Sequence, residues 1–134
     1  MDGLTAKERS ENMRRVRAKD TVPEMLVRRL VHGMGFRYRL HVTALPGKPD
    51  LVFPRLSKIV EVRGCFWHQH KSCNAHIPKS RVEFWRSKLN GNKRRDKHNE
   101  KKLRALGWTV CTVWECELKD LDEVKRRLAQ FLST

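Results

Sequence analysis

Three short apolar runs limit what this chain can fold into. LVF at 51–53 and KIVEV at 58–62 flank PRLS, which reads as a hairpin turn. WTVCTVW at 108–114 is apolar and rich in β-branched residues, as a buried strand would be. FRYRLHV at 36–42 alternates apolar with polar and adds a further strand, followed by the turn ALPGKPD. Helical patterns surround these runs. In DTVPEMLVRRLVHGMG, Thr21 stands three residues before Glu24, a capping-box pattern, and Pro23 falls in the first turn, where its missing N–H costs nothing. Leu26, Leu30 and Met34 recur there at helical spacing. SRVEFWRSKL reads as a helix capped by Ser80 with Glu83 three on; NGN at 90–92 breaks or kinks it, and KRRDKHNEKKLRAL continues to Gly107. LDEVKRRLAQFL at 121–132 closes the chain as an amphipathic helix. The order is α-β-β-β-α-β-α, and the class expected is α/β, a mixed central β-sheet flanked by helices.

At 134 residues the chain is the size of one domain, expected over 21–134 and preceded by a basic arm over 1–20. The net charge is +15, which points to nucleic acid before other partners, with a ribosomal-type or merely soluble basic surface as the plainer alternative. Residues 79–104 hold eleven Lys/Arg against three Asp/Glu. One sign dominates too strongly for a balanced, salt-bridged face, so phosphate contact by this helix, with Arg94 and Arg95, is the expectation. No apolar run approaches the ~18 residues of a membrane span, so a cytoplasmic, intracellular protein with no membrane partner is expected. Four cysteines in such a chain read as thiols or metal ligands before disulfides.

Two acidic positions stand out. PGKPD ends at Asp50, and EVR begins at Glu61 on the next strand. A hairpin brings Asp50 near Glu61, and Glu61 and Arg63 point to one side of their strand. Two carboxylates at a sheet end suit Mg²⁺, which neutralises a scissile phosphate and lowers the pKa of a bound water. The layout resembles the PD-(D/E)xK nucleases, with Arg63 where that pattern has lysine. The plainer readings are a Pro-Asp turn at Asp50 and an exposed strand pair at Glu61 and Arg63.

In GCFWHQHKSC, Cys65, His70 and Cys73 have the spacing C-x4-H-x2-C, and Cys116 follows the last strand. Three cysteines and a histidine form a common closed zinc set. His76 is an alternative ligand, Cys111 reads as core, and buried, metal-free thiols are the plainer reading of the cysteines. If the segment is extended, His68 and His70 point to opposite sides, so one zinc takes only one of them. His68 would then face the strand end that carries Glu61, free for acid–base work near neutral pH.

Together, SENMRRVRAKDT, PGKPD, GCFWHQH with its following cysteine, EFWRSKLNGNKRRD, LRALGW and VWEC resemble the very-short-patch repair endonucleases, over about Ser10 to Leu118. The resemblance implies a restriction-endonuclease-like core with a structural zinc loop, and Mg²⁺-dependent nicking of one strand of double-stranded DNA beside a T:G mismatch. It implies Asp50 as main Mg²⁺ ligand, His68 as catalytic histidine, and Glu24 orienting a water or His68. It implies Cys65, His70, Cys73 and Cys116 as zinc ligands, Phe66, Trp67 and Trp85 as wedges in the base stack, and an arm around Met13 and Arg14 that embraces the DNA. The family has an uncharged residue where this chain has Glu61 and often histidine where it has Arg63; there a main-chain carbonyl, Val62 here, joins the aspartate. Glu61 is accordingly expected as an added carboxylate ligand. The zinc loop is one residue longer between its cysteines than the family pattern. A monomer that works with other mismatch-repair proteins at the bacterial nucleoid is expected. The alternatives are a nuclease of other specificity and a zinc-stapled DNA-binding module without catalysis.

Overall fold

The computed structural model describes residues 21–70 and 78–134. The arm with Met13 and Arg14, and Cys73 and His76 in the loop, lie outside the described residues. The elements are α1 (Val22–Gly33), β1 (Arg39–Leu40), β2 (Leu51–Phe53), β3 (Lys58–Arg63), α2 (Val82–Ala105), β4 (Thr109–Trp114) and α3 (Leu121–Ser133). Short 3-10 turns occupy Pro54–Leu56 and Glu115–Lys119. None of the described helices is long and apolar enough to cross a membrane.

The sheet runs β1-β2-β3-β4. β2 pairs antiparallel with β1 and β3, with Leu51 opposite Val60, and β3 pairs parallel with β4 from Lys58–Thr109 to Arg63–Trp114. A parallel pair needs a long crossover, and α2 supplies it. Alternation sorts the side chains. Leu51, Phe53, Val60 and Val113 face α1 and α3 in the larger core; Val52, Ile59 and Val110 meet Leu103 of α2 on the other side. Glu61 and Arg63 share the parity of Ile59, so they lie on the α2 side of the sheet.

Four local expectations change. The strand read over 36–42 is only Arg39–Leu40, because Phe36 and Tyr38 turn onto the larger core and His41 takes a left-handed φ of 45°. The centre of the buried stripe of α1 is Val27 and Val31, both 0% exposed, with Leu26, Leu30 and Met34 at its margin. NGN does not interrupt α2. Asn92 is buried there, its amide donating to the Trp67 carbonyl at 3.2 Å and its oxygen accepting from Arg95. Those bonds tie the helix to the loop and offset the ~1 kcal/mol that glycine costs in a helix interior. Nor does Ser80 cap α2. The N-cap is Arg81, in left-handed conformation without a side-chain cap bond, and Glu83 pairs with Arg86 instead.

The helix ends are otherwise well supplied. Thr21 Oγ1 accepts from the Glu24 amide at 3.4 Å, and the Asp120 carboxylate accepts from Glu123 at 3.2 Å. Lys58, buried at the start of β3, donates to the Phe131 carbonyl and to Thr134 Oγ1, closing the C-terminal end of α3 where a cation is favoured.

Candidate active site and metal centres

Asp50 sits where β2 begins. The preceding turn bends through Gly47 and Lys48, both at positive φ. A Cβ on Gly47 would meet Asn99 of α2 at 2.8 Å, so only glycine lets the turn press against that helix. Asp50 Oδ2 accepts a hydrogen bond from the Val62 amide at 2.8 Å. The N–H and C=O of a strand residue leave on the same edge, so the Val62 carbonyl is directed toward the Asp50 side as well. Burial pushes the Asp50 carboxyl up to about 6; the Val62 bond opposes this, Glu24 adds to it and His41 opposes it. Glu61 extends the β2–β3 register opposite Asp50. Burial, then the nearby Asp50 charge, push its carboxyl up to about 8, against the pull of Arg63. Two carboxyls held above their usual range by enclosure and by neighbouring carboxylates, Glu24 for Asp50 and Asp50 for Glu61, are a hard-oxygen donor set short of positive charge, which fits a divalent cation.

Glu24, 2% exposed on α1, completes a different cluster from the one expected. Its carboxylate bonds His41 Nε2 at 2.9 and 3.1 Å and also Arg28, and it does not serve His68. Donor atoms of Glu24, His41 and Asp50 lie within 4.8 Å of one another. Glu61 stands outside that triad.

The loop that follows β3 is tightly turned rather than extended. His68 N donates to the Gly64 carbonyl, Gln69 N to Phe66 and His70 N to Cys65, and Gln69 takes a φ of 49°. Strand alternation therefore does not separate the two histidines; the turn does. His70 Nδ1 is 3.8 Å from Cys65 Sγ and 3.4 Å from Cys116 Sγ. Zinc bonds of about 2.3 Å to sulfur and 2.05 Å to nitrogen give a tetrahedral S···N edge of about 3.6 Å. Those separations fit one ion held by Cys65, His70 and Cys116. Cys111 lies away from them, packed at the margin of the larger core, where burial pushes its thiol up. His68 turns the other way and bonds the Asp96 carboxylate of α2 through Nδ1.

Trp114, at the end of β4, stacks on the His70 ring at 4.1 Å and meets the His68 ring edge-on at 6.5 Å. Phe66, Trp67 and Trp85 form a half-buried triangle with centroids 5.0, 5.7 and 5.9 Å apart. A groove of about 1030 Å³ joins these parts: Glu24, Asp50, Glu61, His68, Phe66 and Trp67 all line it. Arg63 lines it too, its guanidinium 4.0 Å from Glu100 and 5.9 Å from the Trp114 ring. Arg94 and Arg95 are exposed on α2.

Residues 1–75 match the family model described as DNA mismatch endonuclease Vsr. The chain is 45% identical over 98% of its length to a type II nicking enzyme of Xanthomonas oryzae, covering 96% of that protein. It is 42% identical to another from Neisseria meningitidis, over 95% of this chain and 91% of that one. To the Escherichia coli DNA mismatch endonuclease Vsr it is 37% identical, over 87% of this chain and 74% of that protein. The chain belongs to the Vsr family of DNA endonucleases. Among solved structures, the homing endonuclease I-Bth0305I catalytic domain aligns with a TM-score of 0.56 at 22% identity, over 84% of this chain and 94% of that one. That likeness establishes the restriction-endonuclease-like fold.

Three residues of this Vsr-family site escaped the sequence reading. His41 sat in a strand pattern whose alternation placed it with Arg37 and Arg39, facing solvent. Asp96 was one of three acids in a basic run. Trp114 read as an apolar strand residue. The signal for Asp96 was present in principle, since an acid flanked by cations on a helix beside a histidine loop is a candidate partner.

Proposed function

We propose that this endonuclease nicks one strand of double-stranded DNA beside a T:G mismatch, with Mg²⁺ at Asp50 and Zn²⁺ in the thiol cluster. The observation that carries the reading is the single groove into which a carboxylate pair, a carboxylate-bound histidine and two large aromatics all open. The names of its relatives, a DNA mismatch endonuclease and nicking enzymes, support both the mismatch and the single cut.

Asp50 holds the Mg²⁺, with Glu61 and the Val62 carbonyl as further oxygens. When bound, that ion neutralises the scissile phosphate and lowers the pKa of a coordinated water. Asp96 holds the Nδ1 proton of His68 and leaves Nε2 as the base that accepts a proton from the attacking water. The products are a 5′-phosphate and a 3′-hydroxyl. Arg63, at the rim of the same groove, offsets charge developing on the phosphate.

Recognition falls to the aromatic triangle. Wedging Phe66, Trp67 and Trp85 into the stack costs a few kcal/mol of unstacking, and least at a mispaired step. Cys65, His70 and Cys116, with Cys73 as fourth ligand, stiffen the loop that presents Phe66 and Trp67. Exposed cations of α2, Arg94 and Arg95 among them, track phosphates, and the arm around Met13 and Arg14 clasps the duplex from the opposite groove.

The test is incubation with T:G-mismatched and matched duplexes, with Mg²⁺ or with chelator. A nick confined to the mismatched strand and requiring Mg²⁺ is expected; equal cutting of matched DNA would overturn the specificity. Asp50→Ala and His68→Ala are expected to abolish nicking while binding persists.

A further inference from the structure

We infer that His41 is a metal ligand, so that Glu24, His41 and Asp50 form a mixed nitrogen–oxygen site that prefers a Mn²⁺-class ion to Mg²⁺. The inference rests on the proposed divalent site at Asp50 and changes its composition.

Four observations converge on it. The three donor groups come from different elements, α1, the segment after β1 and the start of β2, yet their donor atoms lie within 4.8 Å of one another. His41 Nε2 stands 2.9 and 3.1 Å from the two Glu24 oxygens. Neighbouring ligands on an octahedral ion with bonds of about 2.1 Å are separated by about 3.0 Å, so the imidazole and carboxylate are already spaced as neighbouring ligands. His41 is fixed with respect to Asp50 by its backbone, since its amide donates to the Asp50 carbonyl at 3.1 Å. Finally, His41 holds a left-handed φ of 45°, uncommon for a residue with a side chain, and the ring lines the groove instead of continuing the solvent-facing row of Arg37 and Arg39.

The choice of ion follows from donor chemistry. Mg²⁺ strongly prefers oxygen and keeps several waters, and gains little from an imidazole. Mn²⁺ accepts the same carboxylates and also a histidine nitrogen. The His41–Glu24 hydrogen bond keeps the two ligands in register. Arg28 bonds Oε2 of Glu24, the oxygen that also makes the shorter contact to His41, and helps to hold the carboxylate in place.

Mn²⁺ is also the discriminating probe. The thiol cluster of Cys65, His70 and Cys116 selects softer ions and binds Mn²⁺ poorly, so a Mn²⁺ signal reports the carboxylate site. The experiment is Mn²⁺ titration of the full-length chain, followed by pulsed electron paramagnetic resonance for ¹⁴N modulation, and Mg²⁺ affinity by competition. The wild-type chain is expected to show histidine nitrogen coupling. His41→Gln and His41→Asn, checked for native circular dichroism, are expected to lose it, with Mn²⁺ affinity falling on the order of tenfold and Mg²⁺ affinity moving less than about twofold. His68→Ala is expected to keep the coupling. A Mn²⁺ spectrum without nitrogen coupling, coupling that survives both His41 variants, or coupling lost in His68→Ala would each overturn the inference. Mismatch nicking with Mg²⁺, measured on the same preparations, separates the two readings. If nicking holds and the nitrogen signal is absent, only the His41 assignment fails. If no divalent ion supports nicking, the proposed function itself fails.

Discussion

His68 Nδ1 is bonded to a carboxylate oxygen of Asp96, which ties the loop after β3 to the middle of α2. The bond fixes the tautomer and aims Nε2 into the groove. Asp96→Asn keeps the shape of the side chain and removes the charge that steadies a protonated imidazole. Its single-turnover nicking rate on a T:G duplex is expected to fall on the order of 10²-fold, with duplex affinity within about twofold of wild type. Fluorescence anisotropy beside the rate measurement decides it. Affinity lost in step with rate would make Asp96 a scaffold residue and leave His68 without an orienting partner.

The stability of the Mg²⁺-free chain should fall as pH rises. The folded carboxyls of Asp50 and Glu61 are raised from 3.8 and 4.5 to about 6 and about 8. The fold therefore retains protons that the unfolded chain releases. Below about pH 4 both states are protonated and this source of stability is fully present. It is lost across the window from about pH 4 up through 6 for Asp50 and 8 for Glu61. The loss is expected to be on the order of a few kcal/mol. Glu61→Gln should flatten the upper half of the window, and Mg²⁺ should restore stability most at its alkaline end. Urea unfolding at pH 5, 7 and 8.5 measures both. A Glu61→Gln chain with unchanged pH dependence would contradict the enclosure of that carboxyl, and one with unchanged Mg²⁺ requirement in nicking would remove Glu61 from the metal site.

How much of this site the sequence discloses depends on how local the determinant is. Asp50 and Glu61 come together through a hairpin whose register follows from two apolar runs and a short turn, so their pairing is legible. The spacing of Cys65, His70 and Cys73 marks a metal loop, but Cys116, 46 residues beyond His70, joins that set in the sequence only through the family resemblance. His41 is not, because its direction is set by one left-handed backbone angle and by Phe36 and Tyr38 leaving the strand for the core. The divergence of His68 from His70 is anticipated for the wrong reason, since hydrogen bonds from residues 68, 69 and 70 back to 64, 66 and 65 wind the segment into turns. The continuity of α2 through NGN depends on Asn92 reaching the Trp67 carbonyl, a contact 25 residues away that no local pattern encodes.

The thiol cluster is expected to carry one zinc per chain. Cys116→Ser removes the ligand 3.4 Å from His70 Nδ1 and should abolish stoichiometric zinc, measured by elemental analysis after dialysis. The unfolding midpoint should fall with it by roughly 5–10 °C, since the ion binds the folded loop and not the unfolded chain. Cys111→Ser is the matched control, because that thiol lies at the margin of the larger core, away from the cluster, and should keep its zinc. Zinc retained in Cys116→Ser would mean that the ligand set is different.

Arg94 and Arg95 stand exposed on the helix whose segment, 79–104, carries eleven of the thirty Lys/Arg. If they meet phosphates, each releases about one counterion on binding, and replacing them takes that release away. Arg94→Gln should lower the slope of log affinity against log salt by about 1, equally for matched and mismatched duplexes. Arg95 also bonds Asn92, so its replacement should cost the same slope and additionally loosen the tie between α2 and Trp67. Trp67→Ala works on the other term. It should leave the salt slope unchanged and shrink the preference for the T:G duplex by roughly tenfold or more, the equivalent of one lost wedge contact. Binding isotherms at four salt concentrations, on both duplexes and for all three variants, separate the two terms. An Arg94→Gln protein with an unchanged slope would take α2 out of the phosphate interface, and a Trp67→Ala protein with undiminished preference would move mismatch reading away from the aromatic triangle.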